Sequence, residues 1–261
     1  MKIAISGKGG VGKTTVCALL CREFARRGYS VLAVDADPDS NLATALRFPE
    51  AATIKPIVEM KELVKERAGE GGGLVKLNPR VDDIPDTYSV THNGIKLMVM
   101  GGVKRAGGGC ACPANVLLRE LLNHILTESR EVVIADMEAG IEHLGRATAE
   151  SVDLLLTVVE PSLLSVQSAE RISRMGGELK IHKIAALVNK AGAEEETAAI
   201  VKMLEPVECI GAVPYSGALR NSWRTAGADS DDPLLERAVS EIADSILKSG
   251  AKNKNGNNRE H

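Results

Sequence analysis

Short apolar runs alternate with longer amphipathic stretches along most of the chain. Residues 3–5, 30–35, 95–100, 132–136, 154–159, 184–189 and 210–213 are aliphatic or β-branched runs, mostly bounded by turn-forming residues. Runs of that length and content predict buried strands. Residues 13–27, 115–127, 163–175, 194–204 and 233–248 instead space their apolar positions three and four apart, which predicts helices with one face turned inward. Alternating strands and helices predict an α/β fold: one domain over residues 1–248, with a mostly parallel sheet covered by helices on both faces. Residues 49–94 break this rhythm. They hold one helical stretch at 55–67, a Gly71-Gly72-Gly73 run and turn-rich sequence near Asn78-Pro79 and Pro85-Asp86, and read as an excursion from the sheet. Residues 249–261 are polar and aperiodic, which predicts a disordered tail.

Ligands in such sheets gather at the carboxyl ends of the strands, and the chemistry of this chain lies there. The first strand runs into Gly7-Lys8-Gly9-Gly10-Val11-Gly12-Lys13-Thr14-Thr15, which opens the first helix. Gly-x-x-x-x-Gly-Lys-Thr between a strand and a helix is the pattern of a P-loop. Its glycines let the backbone close around an anion with N–H groups inward, and the helix N-terminus adds its positive end. Lys13 is expected to reach the β- and γ-phosphates of a nucleotide, and the Thr14 hydroxyl to bind Mg²⁺. Gly9, Gly10, Val11, Gly12 and Thr15 complete the expected cradle.

Three carboxylates follow the second strand, in Val34-Asp35-Ala36-Asp37-Pro38-Asp39. Acidic groups beside a phosphate loop suit a site that positions a cation and a water. A later strand ends Ile134-Ala135-Asp136-Met137-Glu138-Ala139-Gly140. This end resembles a Walker B strand leading into switch II, which implies that Asp136 holds the water shell of Mg²⁺ and that Gly140 offers its N–H to the γ-phosphate. Another strand ends Asn189-Lys190-Ala191-Gly192. A guanine site would need an aspartate at position 192 to accept from the base, so the glycine there favours ATP. Asn189 and the turn at Pro214-Tyr215 are the expected edge of the adenine.

Composition narrows the partners. Formal net charge is −3 and aromatic content only 2%, which argues against nucleic acid as the main business. No stretch is apolar enough to span a membrane. The segment 233–248 is amphipathic, but Glu236, Glu241 and Asp244 outweigh Arg237 and Lys248, so anionic lipid would repel it. Five cysteines with no export signal ahead of the first strand predict reduced thiols in the cytoplasm.

Two of those cysteines stand in Gly107-Gly108-Gly109-Cys110-Ala111-Cys112-Pro113. Cys110 and Cys112 offer two thiolates to a soft cation such as Zn²⁺, and a two-fold dimer would double the count to the four such a site wants. A redox pair and chance are the other readings. Cys17 and Cys21 share one face of the first helix with Leu20 and Phe24, which reads as core packing, and Cys209 reads as structural. Glu138, Glu142 and His143 follow Asp136 closely enough to sense nucleotide or touch a partner. Lys104-Arg105 beside the cysteine loop reads as solvated charge.

The P-loop with its early lysine resembles that of the MinD/ParA/nitrogenase iron protein class. The resemblance implies that Lys8 reaches into the partner's nucleotide site, so that ATP holds a homodimer face to face. It also implies that Asp37 orients the attacking water while Asp35 and Asp136 support Mg²⁺. Partitioning ATPases of the class carry proline where this chain has Glu138. Residues 7–15, 34–42, 57–61, 72–79, 110–112, 136–146, 159–161 and 210–215 together resemble the CooC-type ATPases that mature the nickel site of carbon monoxide dehydrogenase. The most specific of these segments is Asp136-Met137-Glu138-Ala139-Gly140-Ile141-Glu142-His143-Leu144. This resemblance implies Ni²⁺ or Zn²⁺ at Cys110 and Cys112, a dimer controlled by nucleotide, and carbon monoxide dehydrogenase as client. A maturation ATPase for acetyl-CoA synthase and a spatial organiser of the ParA or MinD kind are the alternatives.

Overall fold

The structure is a computed structural model that describes residues 1–69, 75–101, 112–138, 141, 146–221 and 232–256. Eight strands form one sheet among these residues: β1 (Lys2–Gly7), β2 (Val31–Ala36), β3 (Val90–His92), β4 (Ile95–Val99), β5 (Val132–Met137), β6 (Leu154–Val159), β7 (Ile184–Ala191) and β8 (Glu208–Pro214). Their order is β3-β4-β2-β5-β1-β6-β7-β8. Every pairing is parallel except β3 with β4. β1 lies between β5 and β6, so the P-loop leaves the middle of the sheet.

Side chains along each strand alternate between two cores, as the pleat requires. Ile3, Ile5, Val132 and Ile134 face one core, where α1 (Lys13–Arg26) and the later helix α10 (Pro233–Gly256) supply Val16, Leu20, Phe24, Leu235, Val239 and Ile242. Ala4, Val133, Ala135 and Met137 face the other. There α3 (Lys61–Ala68), α5 (Pro113–Glu128) and α7 (Leu163–Glu178) contribute Leu63, Leu117, Leu121, Ile125 and Ile172. Cys17 and Cys21 are both fully buried in the first core, as their helical spacing predicts. Helix α8 (Glu194–Met203) closes a smaller cluster with Ile200. Short helices α2 (Leu42–Ala45), α4 (Ile84–Tyr88), α6 (Arg146–Glu150) and α9 (Gly217–Asn221) fill the connections.

Most element ends shift by a residue to three, and three larger differences from the sequence expectations stand out. The stretch 55–67 is not one helix: Pro56 stays extended, a 3₁₀ turn follows at Ile57–Glu59, and α3 starts only at Lys61. Proline at 56 disfavours a helical residue before it and has no N–H to give a preceding turn. β3 is an added antiparallel edge strand, joined to β4 by the Asn93-Gly94 turn, where both residues have positive φ. Helix α10 runs to Gly256, beyond position 249 where a disordered tail was expected. No proline interrupts it there, and each residue added to a formed helix gains a backbone hydrogen bond.

Candidate nucleotide site

Helix α1 begins without a side-chain cap. Its N-cap residue, Gly12, is left-handed at φ 95°, and the first-turn N–H groups are left available to an anion. Val11 is fully buried and pins the loop to the core, while Gly9 and Gly10 are exposed. Lys13 is 8% exposed and Thr14 half-buried, both at the mouth of this turn. Lys8 is half-buried, and its carbonyl accepts from the Val11 N–H at 3.4 Å.

Two carboxylates meet beside the loop. Asp35 and Asp136 are register partners on β2 and β5, and Ile5 of β1 is the other neighbour of Asp136. Both aspartates are essentially buried. Asp35 Oδ2 accepts from the Leu42 N–H at 2.9 Å and Oδ1 from the Asp37 N–H at 3.3 Å. Neither oxygen of Asp136 has a clear hydrogen-bond partner among the described residues. Burial pushes Asp136 up to about 7; the Thr14 hydroxyl and Lys13 pull the other way, and Asp35 adds repulsion. Burial likewise raises Asp35 to about 6, against the hydrogen bonds from Leu42 and Asp37. Two buried, adjacent carboxylates, with the oxygens of Asp136 unpartnered, are poorly stable alone and suit a hard divalent cation. Asp37 is half-buried at the rim, with Oδ1 accepting from the Asp39 N–H at 2.9 Å; Asp39 itself is exposed.

The ends of β7 and β8 flank the loop on its other side. Asn189 is 4% exposed, and its side-chain amide donates to the Val11 carbonyl at 2.7 Å. Lys190 Nζ donates to the Gly10 carbonyl at 2.8 Å and to Glu160 Oε2 at 2.7 Å. Tyr215 N–H donates to the Ala191 carbonyl at 2.9 Å, which holds the half-buried Pro214 and exposed Tyr215 beside the Asn189 segment. The sequence reading placed Asn189 at a base. In the structure its amide nitrogen is engaged with the P-loop, and the Lys190 and Glu160 contacts went unforeseen.

Residues 2–225 match the CobQ/CobB/MinD/ParA nucleotide binding domain. The carbon monoxide dehydrogenase accessory protein CooC of Rhodospirillum rubrum is 45% identical over 84% of this chain and 86% of its own. The chain belongs to the CooC-type ATPases of the MinD/ParA class. A further relative is an uncharacterised ATP-binding protein of Methanocaldococcus jannaschii, 39% identical over 95% of this chain and 98% of its own. Among solved structures, the septum site-determining protein MinD of Pyrococcus horikoshii, complexed with Mg-ADP, superposes with a TM-score of 0.67 at 18% identity. That match covers 94% of this chain and 95% of that one, and it establishes the shared fold.

In this CooC-type chain the fold brings Lys8, Gly9, Gly10, Val11, Gly12, Lys13, Thr14, Thr15, Asp35, Asp37, Asp136, Asn189 and Pro214 to one end of the sheet. Gly140, Glu142, His143 and Cys110 lie outside the described residues. Cys112 is half-buried, a free thiol at the N-cap of α5. Among the described residues no group of three or more metal-ligating side chains forms, and no helix is long and apolar enough to cross a membrane.

Proposed function

We propose that this chain is an ATP-hydrolysing metallochaperone that dimerises with nucleotide and assists nickel insertion into carbon monoxide dehydrogenase. The observation that carries the reading is its extensive identity with the Rhodospirillum rubrum accessory protein, across most of both chains. The P-loop and its two buried aspartates support the ATPase half of the reading.

The roles are those that the P-loop pattern and the family resemblance imply. The N–H groups of Gly9 to Thr15 cradle the phosphates, with Lys13 neutralising the β- and γ-phosphoryl oxygens. Gly140 offers its N–H to the γ-phosphate. Thr14, Asp35 and Asp136 hold Mg²⁺, which when bound offsets the charge that collects on those oxygens. Asp37 orients the water that attacks in line. Lys8 reaches across to the second subunit's nucleotide, so that loss of the γ-phosphate loosens the pair. Asn189 and Pro214 border the adenine. Nickel is cargo, held as Ni²⁺, with Zn²⁺ as the competing ion, by Cys110 and Cys112 of both subunits at the dimer interface. The site of action is the cytoplasm.

Protonation competes with the cation at the aspartate pair. Since burial places Asp136 at about 7, each pH unit below that value is expected to weaken Mg²⁺ binding by up to roughly tenfold. Mg²⁺ titrations of ATP hydrolysis at pH 6 and pH 8 check this. Equal half-saturating Mg²⁺ at both would remove the pair from the cation site.

The client role is tested by activating nickel-free carbon monoxide dehydrogenase at limiting Ni²⁺. Wild type with Mg-ATP should raise the recovered activity, whereas Asp37→Ala and the Cys110→Ser/Cys112→Ser double variant should not. Full activation by the double variant would remove metal delivery from the mechanism. No effect of wild type would overturn the client assignment.

A further inference from the structure

We propose that Lys190, braced by Glu160, is a positioning residue of the P-loop that sets nucleotide affinity by fixing the loop's shape before nucleotide arrives. The role rests on the nucleotide site proposed above, and concerns two residues to which that reading gives no task.

The exposed arc of the loop at Gly9 and Gly10 is poorly held by packing, although Val11, which follows, is anchored in the core. A Cβ added at Gly9 or Gly10 would meet nothing within 4 Å, and both residues are exposed. A free loop of this kind samples many conformations and loses that freedom on closing around phosphate. Two consecutive carbonyls are nevertheless held. Lys190 Nζ takes the Gly10 carbonyl at 2.8 Å and the Asn189 amide takes the Val11 carbonyl at 2.7 Å. In a trans peptide the C=O and the following N–H point to opposite sides. Pinning these two carbonyls therefore turns the N–H groups of Val11 and Gly12 the other way, side by side. Successive N–H groups on one side form an anion-binding concavity. The only competing partner for the Val11 N–H among the described contacts is the Lys8 carbonyl, at a long 3.4 Å.

The chain is shaped locally to bring Lys190 there. The register of β7 against β8 shifts between Val188 and Ala191. Lys190 itself is left-handed at φ 57°, a region side chains rarely adopt. Irregularities of this kind re-aim a side chain at a strand end. Glu160, the residue after β6, then holds the ammonium at 2.7 Å. Lys190 and Glu160 are about 42% and 27% exposed at their side chains, so either can be replaced without opening the core.

A second explanation is that Lys190 merely adds positive charge near the phosphates. The two differ in sign at Glu160. If only charge matters, removing the Glu160 carboxylate strengthens nucleotide binding. If Glu160 braces the strap, removing it weakens binding.

The test is equilibrium titration of the full chain with fluorescent Mg-ADP and a non-hydrolysable Mg-ATP analogue, with KM and kcat from steady-state hydrolysis. Lys190→Met is expected to raise Kd and KM by about tenfold and Glu160→Gln by about threefold, the size of one or two lost charge-assisted hydrogen bonds. In both variants kcat at saturating nucleotide should fall less than affinity does, and Lys190→Arg should recover most of the loss. Tighter binding by Glu160→Gln, or a Lys190→Met affinity within twofold of wild type, would overturn the proposal. Wild type failing to bind nucleotide would instead overturn the underlying nucleotide reading, and is separable because it needs no variant.

Discussion

Asp136→Asn is expected to lower Mg²⁺-dependent ATP hydrolysis by at least about a hundredfold while making the nucleotide-free protein more stable at pH 8. Both effects have one cause. Asp136 is 1% exposed, its oxygens lack clear partners, and Asp35 is its neighbour on the adjacent strand. A carboxyl raised by burial from 3.8 to about 7 costs about 4 kcal/mol when ionised in the native state. The asparagine amide removes the charge but must satisfy its own donors, so a net gain of about 2 kcal/mol remains. That corresponds to a melting temperature about 4–8 °C higher.

The sign with pH is definite. Between the unfolded value of 3.8 and about 7 the native state binds more protons than the unfolded state. Wild-type stability from this group is therefore greatest at low pH and falls as pH rises through that window. The advantage of the variant should be largest above pH 7 and shrink towards pH 4. Thermal melts across that range, with and without Mg²⁺ and nucleotide, check it. A variant that is both active and no more stable would show that the carboxylate neither holds a cation nor is strained without one.

Gly7→Ala is expected to destabilise the fold by roughly 3 kcal/mol or more, lowering the melting temperature by at least about 6–12 °C. Gly7 sits at φ 148°, and an added Cβ would stand 2.4 Å from the Val158 carbonyl oxygen. That oxygen belongs to the backbone of β6, paired with β1 in the middle of the sheet, so it cannot swing aside like a side chain. The two central strands would have to part where the P-loop begins, and nucleotide affinity should fall with stability. Gly9→Ala is the control: nothing lies within 4 Å of its added Cβ, and a change within about 0.5 kcal/mol is expected. Equal melting temperatures for Gly7→Ala and wild type would mean that β1 and β6 are less closely set than described.

Much of this architecture is legible in the pattern of the chain. The parallel strands are buried on both faces, so each appears as an unbroken aliphatic run, and β6 has the very ends that its run marks out, Leu154–Val159. β3 is only three residues long and half-exposed, too short for periodicity to register. Its signal was the Asn93-Gly94 pair, which suits a tight hairpin because both residues tolerate positive φ. The P-loop was legible because its chemistry is local in sequence. The strap on it was not, since Lys190 lies 180 positions from Gly10 and 30 from Glu160 and meets both only through strand order. Asn189 is expected at the edge of the adenine from sequence; the bond from its amide nitrogen to the Val11 carbonyl, 178 positions away, needs the fold. The pairing of Asp35 with Asp136 likewise needed the register of β2 on β5, although each aspartate alone was visible at a strand end.

A dimer that nucleotide assembles and that carries nickel on its axis should be visible in mass in solution together with metal content, with and without Mg²⁺ and a non-hydrolysable ATP analogue. Wild type is compared with the Cys110→Ser/Cys112→Ser double variant. One Ni²⁺ or Zn²⁺ per wild-type dimer is expected, lost in the double variant while ATP binding persists. Absence of metal from both proteins, with an unchanged ATP-driven dimer, would contradict it and leave a nucleotide-switched dimer in which the cysteine pair has no part.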